Sequence, residues 1–373
     1  MLLFICAIPF LVAIALLIFW KMKVVWWEYC LLIIPSLIII WALYSLCTWG
    51  NQFDTEYNTY YITKATYYEP WNEMKTRVVT YTTGSGKHRH THHKTVHYVE
   101  NHPETWKMTL NNEDEQTISE DDFNTIIKTF NSEKVFRNMN RHYFSKDGDA
   151  YDYNYDNDPA KIIGITFESK YVNPIQDSNS IFTYSNISKE EADELKLFEY
   201  PEIDGYNQDA ILGATVPDNH KHAIDYLNAK YGKDKNIKIF VLFFWDTAPS
   251  IVEYQKSYWK GGNQNEFVIC LGYNSKKKEI NWADAFSWCD EPVLEAATKY
   301  YFLEHPKIDL IGYAKYIEPY IQKQWKPKDF SEFKYIDHDI SITQSIIMLI
   351  VILLYCGFIS YFVVTNQEQY KEK

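Results

Sequence analysis

A chain of 373 residues with 49 acidic against 37 basic side chains has a net charge of −12, which excludes a nucleic-acid binder, because phosphate backbones are held by surplus cation. Six cysteines in a chain of this length exclude a disulfide scaffold, and only Cys270 and Cys289 lie far from the apolar ends, where one pair is all they could form. With 31 tyrosines and 21 phenylalanines the polar middle has ample material for a core.

In chain order, Leu2–Trp20 and Leu31–Trp49 come first, and Ile346–Val364 comes last; none carries a charge, and each is read as crossing a ~30 Å hydrocarbon core. The first has no basic n-region and is followed by Lys21-Met22-Lys23 instead of a small-residue cleavage site, so it reads as a retained helix and not a signal peptide. Lys21 and Lys23 place the link between the first two helices in the cytoplasm by the positive-inside rule. The expected topology is an integral protein of a plasma or inner membrane. Residues 1–49 form a helical hairpin, the main domain is extracytoplasmic, residues 346–364 return the chain, and residues 365–373 form a cytoplasmic tail. Lipid bilayer and a neighbouring membrane or envelope protein are the expected partners, and nucleic acid is not.

Residues 50–200 read as β-rich. Tyr57 to Tyr68 is dense in Tyr, Thr and Ile, Thr76 to Thr83 and Lys87 to Val99 flank Gly84-Ser85-Gly86 as a hairpin, and Lys161 to Phe167 is β-branched. Ser119 and Asp122 have capping-box spacing ahead of Phe123, Ile126, Ile127 and Phe130, which share a helical face. Ser188 and Glu191 signal a second, short helix. The histidines carry the densest chemistry. On a strand His88, His90 and His92 point to one face about 6.5 Å apart in succession and can converge on Zn²⁺ or Cu²⁺, with a third ligand from the paired strand or from His102. A solvated polar arm and a patch that charges as pH falls explain the same residues. Asp152-Tyr153-Asn154-Tyr155-Asp156-Asn157-Asp158 lacks the glycine and the final glutamate of a calcium loop, so it reads as an aromatic-faced strand entering a turn. Asn186-Ile187-Ser188 is a glycosylation sequon by pattern.

Phe198 to Ala214, with Pro201 and two glycines, reads as a linker or a wrapping loop into residues 201–340, where the pattern alternates. Helices are expected over Asp218–Tyr231, Pro249–Trp259, Glu291–Leu303 and Ile308–Gln324. Strands are expected over Asn236–Phe244, Glu266–Gly272 and Glu279–Ala283. Two strands separated by one helix predict a parallel pair. The fold class is therefore α+β: three transmembrane helices bracket a β-rich region followed by an α/β sandwich.

The stretch Tyr258-Trp259-Lys260-Gly261-Gly262-Asn263-Gln264-Asn265-Glu266, running into Phe267-Val268-Ile269-Cys270-Leu271-Gly272, resembles the signature of TPM domains, and the elements from Gly213 to Gln324 follow that family's order. The resemblance implies a membrane-tethered domain outside the cytoplasm, with roles in assembly or repair of membrane complexes or, in some members, acid phosphatase activity. Glu266 stands where the family usually has Gly, so no catalytic residue is carried over. From the residues themselves, Gly261 and Gly262 permit a sharp turn whose N–H groups and the side chains of Asn263, Asn265 and Glu266 form either a ligand mouth or a plain connector. Asp246, past the end of the neighbouring strand, is either an acid at that mouth or the cap of the next helix. No Walker loop, Gly-x-Ser-x-Gly elbow or His-Glu-x-x-His helix is present. The expected function is a membrane-anchored interaction or assembly module; the alternative is a tethered phosphoesterase-like hydrolase, metal-dependent because an acidic domain needs cationic help with phosphoryl charge.

Overall fold

The computed structural model describes residues 2–20, 26–51, 53–129, 134–141, 143–155, 162, 164–175, 184–203, 205, 210–289, 291–333, 335 and 340–371. Two compact units divide the chain, one of residues 1–56, 170–185 and 329–373, the other of residues 57–169 and 186–328.

The first unit is dominated by helices α1 (Leu2–Trp20), α2 (Trp26–Asn51) and, at the far end of the chain, Ile342–Lys371. Their apolar side chains pack together, with Ile5, Leu32, Met348 and Ile352 almost fully enclosed. Polar groups pair inside this cluster: Tyr355 OH donates to Leu31 O at 2.9 Å, and Ser36 Oγ to Leu32 O at 2.6 Å. Such bonds matter most where no water competes for the donor. Two helices, Trp26–Gly50 and Ile342–Thr365, are long and apolar enough to cross a membrane. The expectation of three is corrected: the apolar part of α1, Leu2–Ile18, is shorter, about 26 Å at 1.5 Å per residue.

The second unit is mixed α and β. In chain order it holds β1 (Phe53–Tyr68, begun in the first unit), β2 (Trp71–Thr83), β3 (His90–His102), β4 (Thr105–Leu110), β5 (Glu115–Ile118), α3 (Glu120–Thr129), β6 (Lys134–Arg137), β7 (Ala150–Asn154), β8 (Gly164–Val172, ended in the first unit) and α4 (Lys189–Leu195). Strands β5, β4, β1, β7 and β6 lie in that order, with β8 also on β1. Ser119 caps α3 where the spacing predicts: its Oγ accepts Asp122 N–H at 3.1 Å and donates to Asp122 Oδ2 at 2.7 Å, and Phe123 and Ile126 of α3 bury against Ile62, Ala65 and Met108. Likewise Ser188 caps α4, accepting Glu191 N–H. Strand β7 is the aromatic-faced strand, with Asp152 turned inward to Thr66 and Arg137; the turn expected at residues 156–158 lies outside the described residues.

The rest is β9 (Ile211–Leu212), α5 (Asp218–Lys235), β10 (Lys238–Trp245), α6 (Ile251–Tyr258), β11 (Glu266–Asn274), β12 (Glu279–Phe286), α7 (Pro292–Glu304) and α8 (Leu310–Gln324), after which α9 is the Ile342–Lys371 helix of the first unit. The sheet runs β12-β11-β10-β9. Strands β10 and β11 are parallel from Lys238 opposite Glu266 to Trp245 opposite Tyr273, joined through α6, as the alternation predicts. Their near-continuous apolar runs are buried on both faces. The expected linker or wrapping loop over Phe198 to Ala214 packs on the sheet at its described residues; residues 204 and 206–209 lie outside them. Phe198 exchanges two hydrogen bonds with the Gln255 side chain, and the segment contributes β9 to the sheet. Because β9 covers only two residues, the start of β10 is finished by a side chain: buried Asn228 of α5 bonds both Ile239 N–H (2.7 Å) and Ile239 C=O (3.1 Å). Helix α5 also meets β1 closely, since a Cβ on Gly232 would lie 1.9 Å from Thr59 O.

Candidate functional site

The glycine turn forms where the sequence places it. Lys260, Gly261 and Gly262 all take positive φ (51°, 85° and 83°), conformations that only glycine adopts freely. Its donors, however, are engaged from within the chain. Glu266 is fully buried, and its carboxylate accepts Asn263 N–H at 2.9 Å, Asn263 Nδ2 at 2.7 Å and the Tyr200 hydroxyl. The anion held by this turn is the protein's own. Asn265 turns elsewhere, donating to Tyr57 O and Asn236 Oδ1, both at 3.0 Å, while its buried Oδ1 accepts no hydrogen bond among the described residues. Of the five residues expected at a ligand mouth, Gly262 and Asn263 lie against the Glu266 carboxylate, while Gly261 donates its N–H to Lys256 O and Asn265 turns away. Burial and the Glu266 charge push the Tyr200 hydroxyl well above its ordinary range, which keeps it a donor.

Beside this network lies a charge that the sequence reading missed. Lys238, at the head of β10, has no exposed surface; its Nζ donates to Thr59 Oγ1 at 3.0 Å and Thr166 Oγ1 at 3.4 Å. Burial lowers its pKa to about 8, only partly opposed by Asp225 and Glu266. The available signal was a single lysine set against the seven apolar residues that complete β10.

Asp246 is neither an acid in a cleft nor the cap of α6. It is exposed, with φ at 51°, and accepts Ser275 N–H (2.9 Å) and Ser275 Oγ, so it fastens the β11–β12 turn; those bonds hold its carboxyl below the usual range. The residue at the head of α6 is Ser250, whose side chain makes no capping bond.

The histidines sit on a ribbon. Strands β2 and β3 pair only with each other along thirteen residue pairs, from Trp71 opposite His102 to Thr83 opposite His90, and β2 touches the rest of the unit at its base near Asp147. His90 and His92 do share a face, but His88 lies in the short 3₁₀ turn Gly86–His88, off the strand. Opposite His90 and His92 stand Thr83 and Tyr81, and His92 Nε2 pairs with Thr83 Oγ1 at 2.7 Å. His102 lies at the other end of β3, roughly 40 Å away at ~3.3 Å per residue, and so cannot be their third ligand. The one trio of ligand-type side chains that converges among the described residues is Glu73, Glu100 and His102, at the ribbon's base. Lys75 fills it, with Nζ 2.8 Å from Glu73 Oε1 and paired with Glu100. His102 bonds Glu73 at 3.1 Å and stacks on Trp71, which Arg141 covers on its own account.

Beyond that base the ribbon is exposed on both faces. By alternation Val79, Tyr81, His90 and His92 lie on one face, and Met74, Val78, His97 and Val99 on the other, with Val78 65 % exposed. Cys270 and Cys289 are both free and buried, so neither serves as a reactive thiol. Comparison of the chain with protein-family models, with curated proteins and with solved structures finds no match.

Proposed function

We propose that this protein is a membrane-anchored interaction module that grips a neighbouring membrane or envelope protein with its β2–β3 ribbon on the extracytoplasmic side. The observation that carries the reading is the ribbon itself: thirteen paired residues per strand, exposed on both faces beyond the base and carrying Val78, Val79, Tyr81 and Val99. A lone two-stranded hairpin is only marginally stable in water, so a partner that covers one face or extends one edge stabilises it. The two membrane-length helices support anchoring, and Lys21 and Lys23 support the side assigned. Self-satisfaction of the Glu266 network favours this reading over hydrolysis, because the turn has no N–H left over for a substrate anion at the Asn263 position.

The test is photocrosslinking from Val78 and Tyr81 in the full chain in its native membranes. A discrete protein adduct from the ribbon, reduced at least several-fold by Val79→Asp, is the expected result. Adducts only to lipid, or none from either face, overturn it.

A further inference from the structure

Helices α5 and α8 lie side by side and run parallel, since Leu310 N–H donates to His220 Nδ1 at 3.4 Å near their starts and Tyr226 OH to Glu318 Oε1 at 3.4 Å two turns on. Between them is a groove of about 430 Å³, within the size range of small-ligand sites. Its floor is apolar, made by Ala223 and Tyr226 of α5 and Ile311 and Ala314 of α8, and the two alanines leave the space that a larger side chain would fill. The charges are unequally distributed along it. At one end Glu318 is neutralised by Lys230 (2.6 Å) and further bonded by the Tyr231 hydroxyl (3.1 Å). Toward the helix starts, exposed Lys315 and His222 form no hydrogen bond or ion pair among the described residues, and the nearby Asp309 carboxylate is engaged by Gly312 N–H and the Tyr301 hydroxyl.

We propose that this groove binds a single-chain anionic amphiphile, with its acyl chain on the Ala223–Ala314 floor and its head at Lys315. Charge complementarity selects the head: the only unopposed full charge at the rim, among the described residues, is the Lys315 ammonium. The lining selects the tail. The floor from Ile311 to Glu318 rises about 10 Å and presents Ala223, Tyr226, Ile311 and Ala314, an apolar surface along which a single extended chain lies. Laying an acyl chain on that floor removes its methylenes from water, which drives the binding.

The experiment is titration of the full chain, in phosphatidylcholine nanodiscs, with dansyl-undecanoate, read against empty discs. Saturable binding is expected, competed by dodecanoate and not by dodecanol, weakened about tenfold or more by Lys315→Glu and abolished by Ala314→Trp. Lys315 is exposed, so its reversal leaves the fold intact even where the tryptophan variant does not fold. Competition by lysophosphatidylglycerol of equal chain length assigns the ligand to the bilayer, and competition by dodecanoate alone assigns it to free fatty acid. No saturable signal above empty discs, equal binding by Lys315→Glu, or a photocrosslinker at Ile311 that captures protein instead of lipid in native membranes overturns the proposal.

Discussion

Lys238 illustrates how one side chain can hold two sheets in register at a cost in stability. Its ammonium spans from β10 to Thr59 and Thr166, which also bond each other at 2.9 Å, so those hydroxyls remain partnered if the lysine is removed. Its pKa falls from 10.5 to about 8 on folding. The unfolded chain therefore holds the proton between these values where the folded chain has released it, and stability rises as pH climbs from about 8 to 10.5. At ~1.4 kcal/mol per pKa unit the charge burial costs roughly 3 kcal/mol near neutral pH. Lys238→Met should accordingly melt higher than the parent at pH 7, by about 1–2 kcal/mol after the lost hydrogen bonds, and the advantage should vanish by pH 10. A thermal-melt series across that range decides it; a variant less stable than the parent at pH 7 would show that the ammonium's bonds outweigh its desolvation.

Helix α5 is held to β1 at backbone distance by Gly232. Alanine in place of glycine normally strengthens a helix interior by up to ~1 kcal/mol. Here the added methyl would meet Thr59 O at 1.9 Å, so Gly232→Ala should destabilise by about 1–3 kcal/mol, whereas Gly357→Ala in α9, with nothing within 4 Å, should be neutral or better. Equal melting of the two variants would refute the close approach. Long elements of this kind were legible in the sequence: the apolar runs of β10 and β11, the Ser119 and Ser188 caps and the Gly84-Ser85-Gly86 hairpin all act within a few residues of themselves. Strands β5 and β6, at four residues each, and β9, at two, were not, because so short a run carries no measurable periodicity. Nor was the fate of Glu266. Its partner Tyr200 lies 66 positions away, and no local pattern distinguishes a carboxylate that receives a ligand from one that replaces it. The shared face of His90 and His92 was legible from strand alternation, whereas the place of His88 was not, because the tight turn Gly86–His88 takes it off the strand.

On the scale of the whole molecule, the side of the membrane is open to a direct measurement. The native cysteines lie on the apolar helices or are buried in the second unit, so a new thiol at the ribbon turn is distinguishable from all of them. Ser85→Cys should react with a membrane-impermeant maleimide applied to intact cells; reaction only after lysis would reverse the proposed orientation. The chain visits its two units alternately. The second unit consists of two segments, each of which leaves the first unit and returns to it. The helix cluster needs α9, which packs on α1 and α2 from some three hundred positions away. A ribosome making this protein releases β10, β11 and their helices before the cluster can close. The apolar flank of α1 and α2 that awaits Met348 and Ile352 must therefore be shielded by lipid or by a chaperone throughout synthesis, and a chain stalled before Ile342 is marked by that bare flank even when its other unit is already folded.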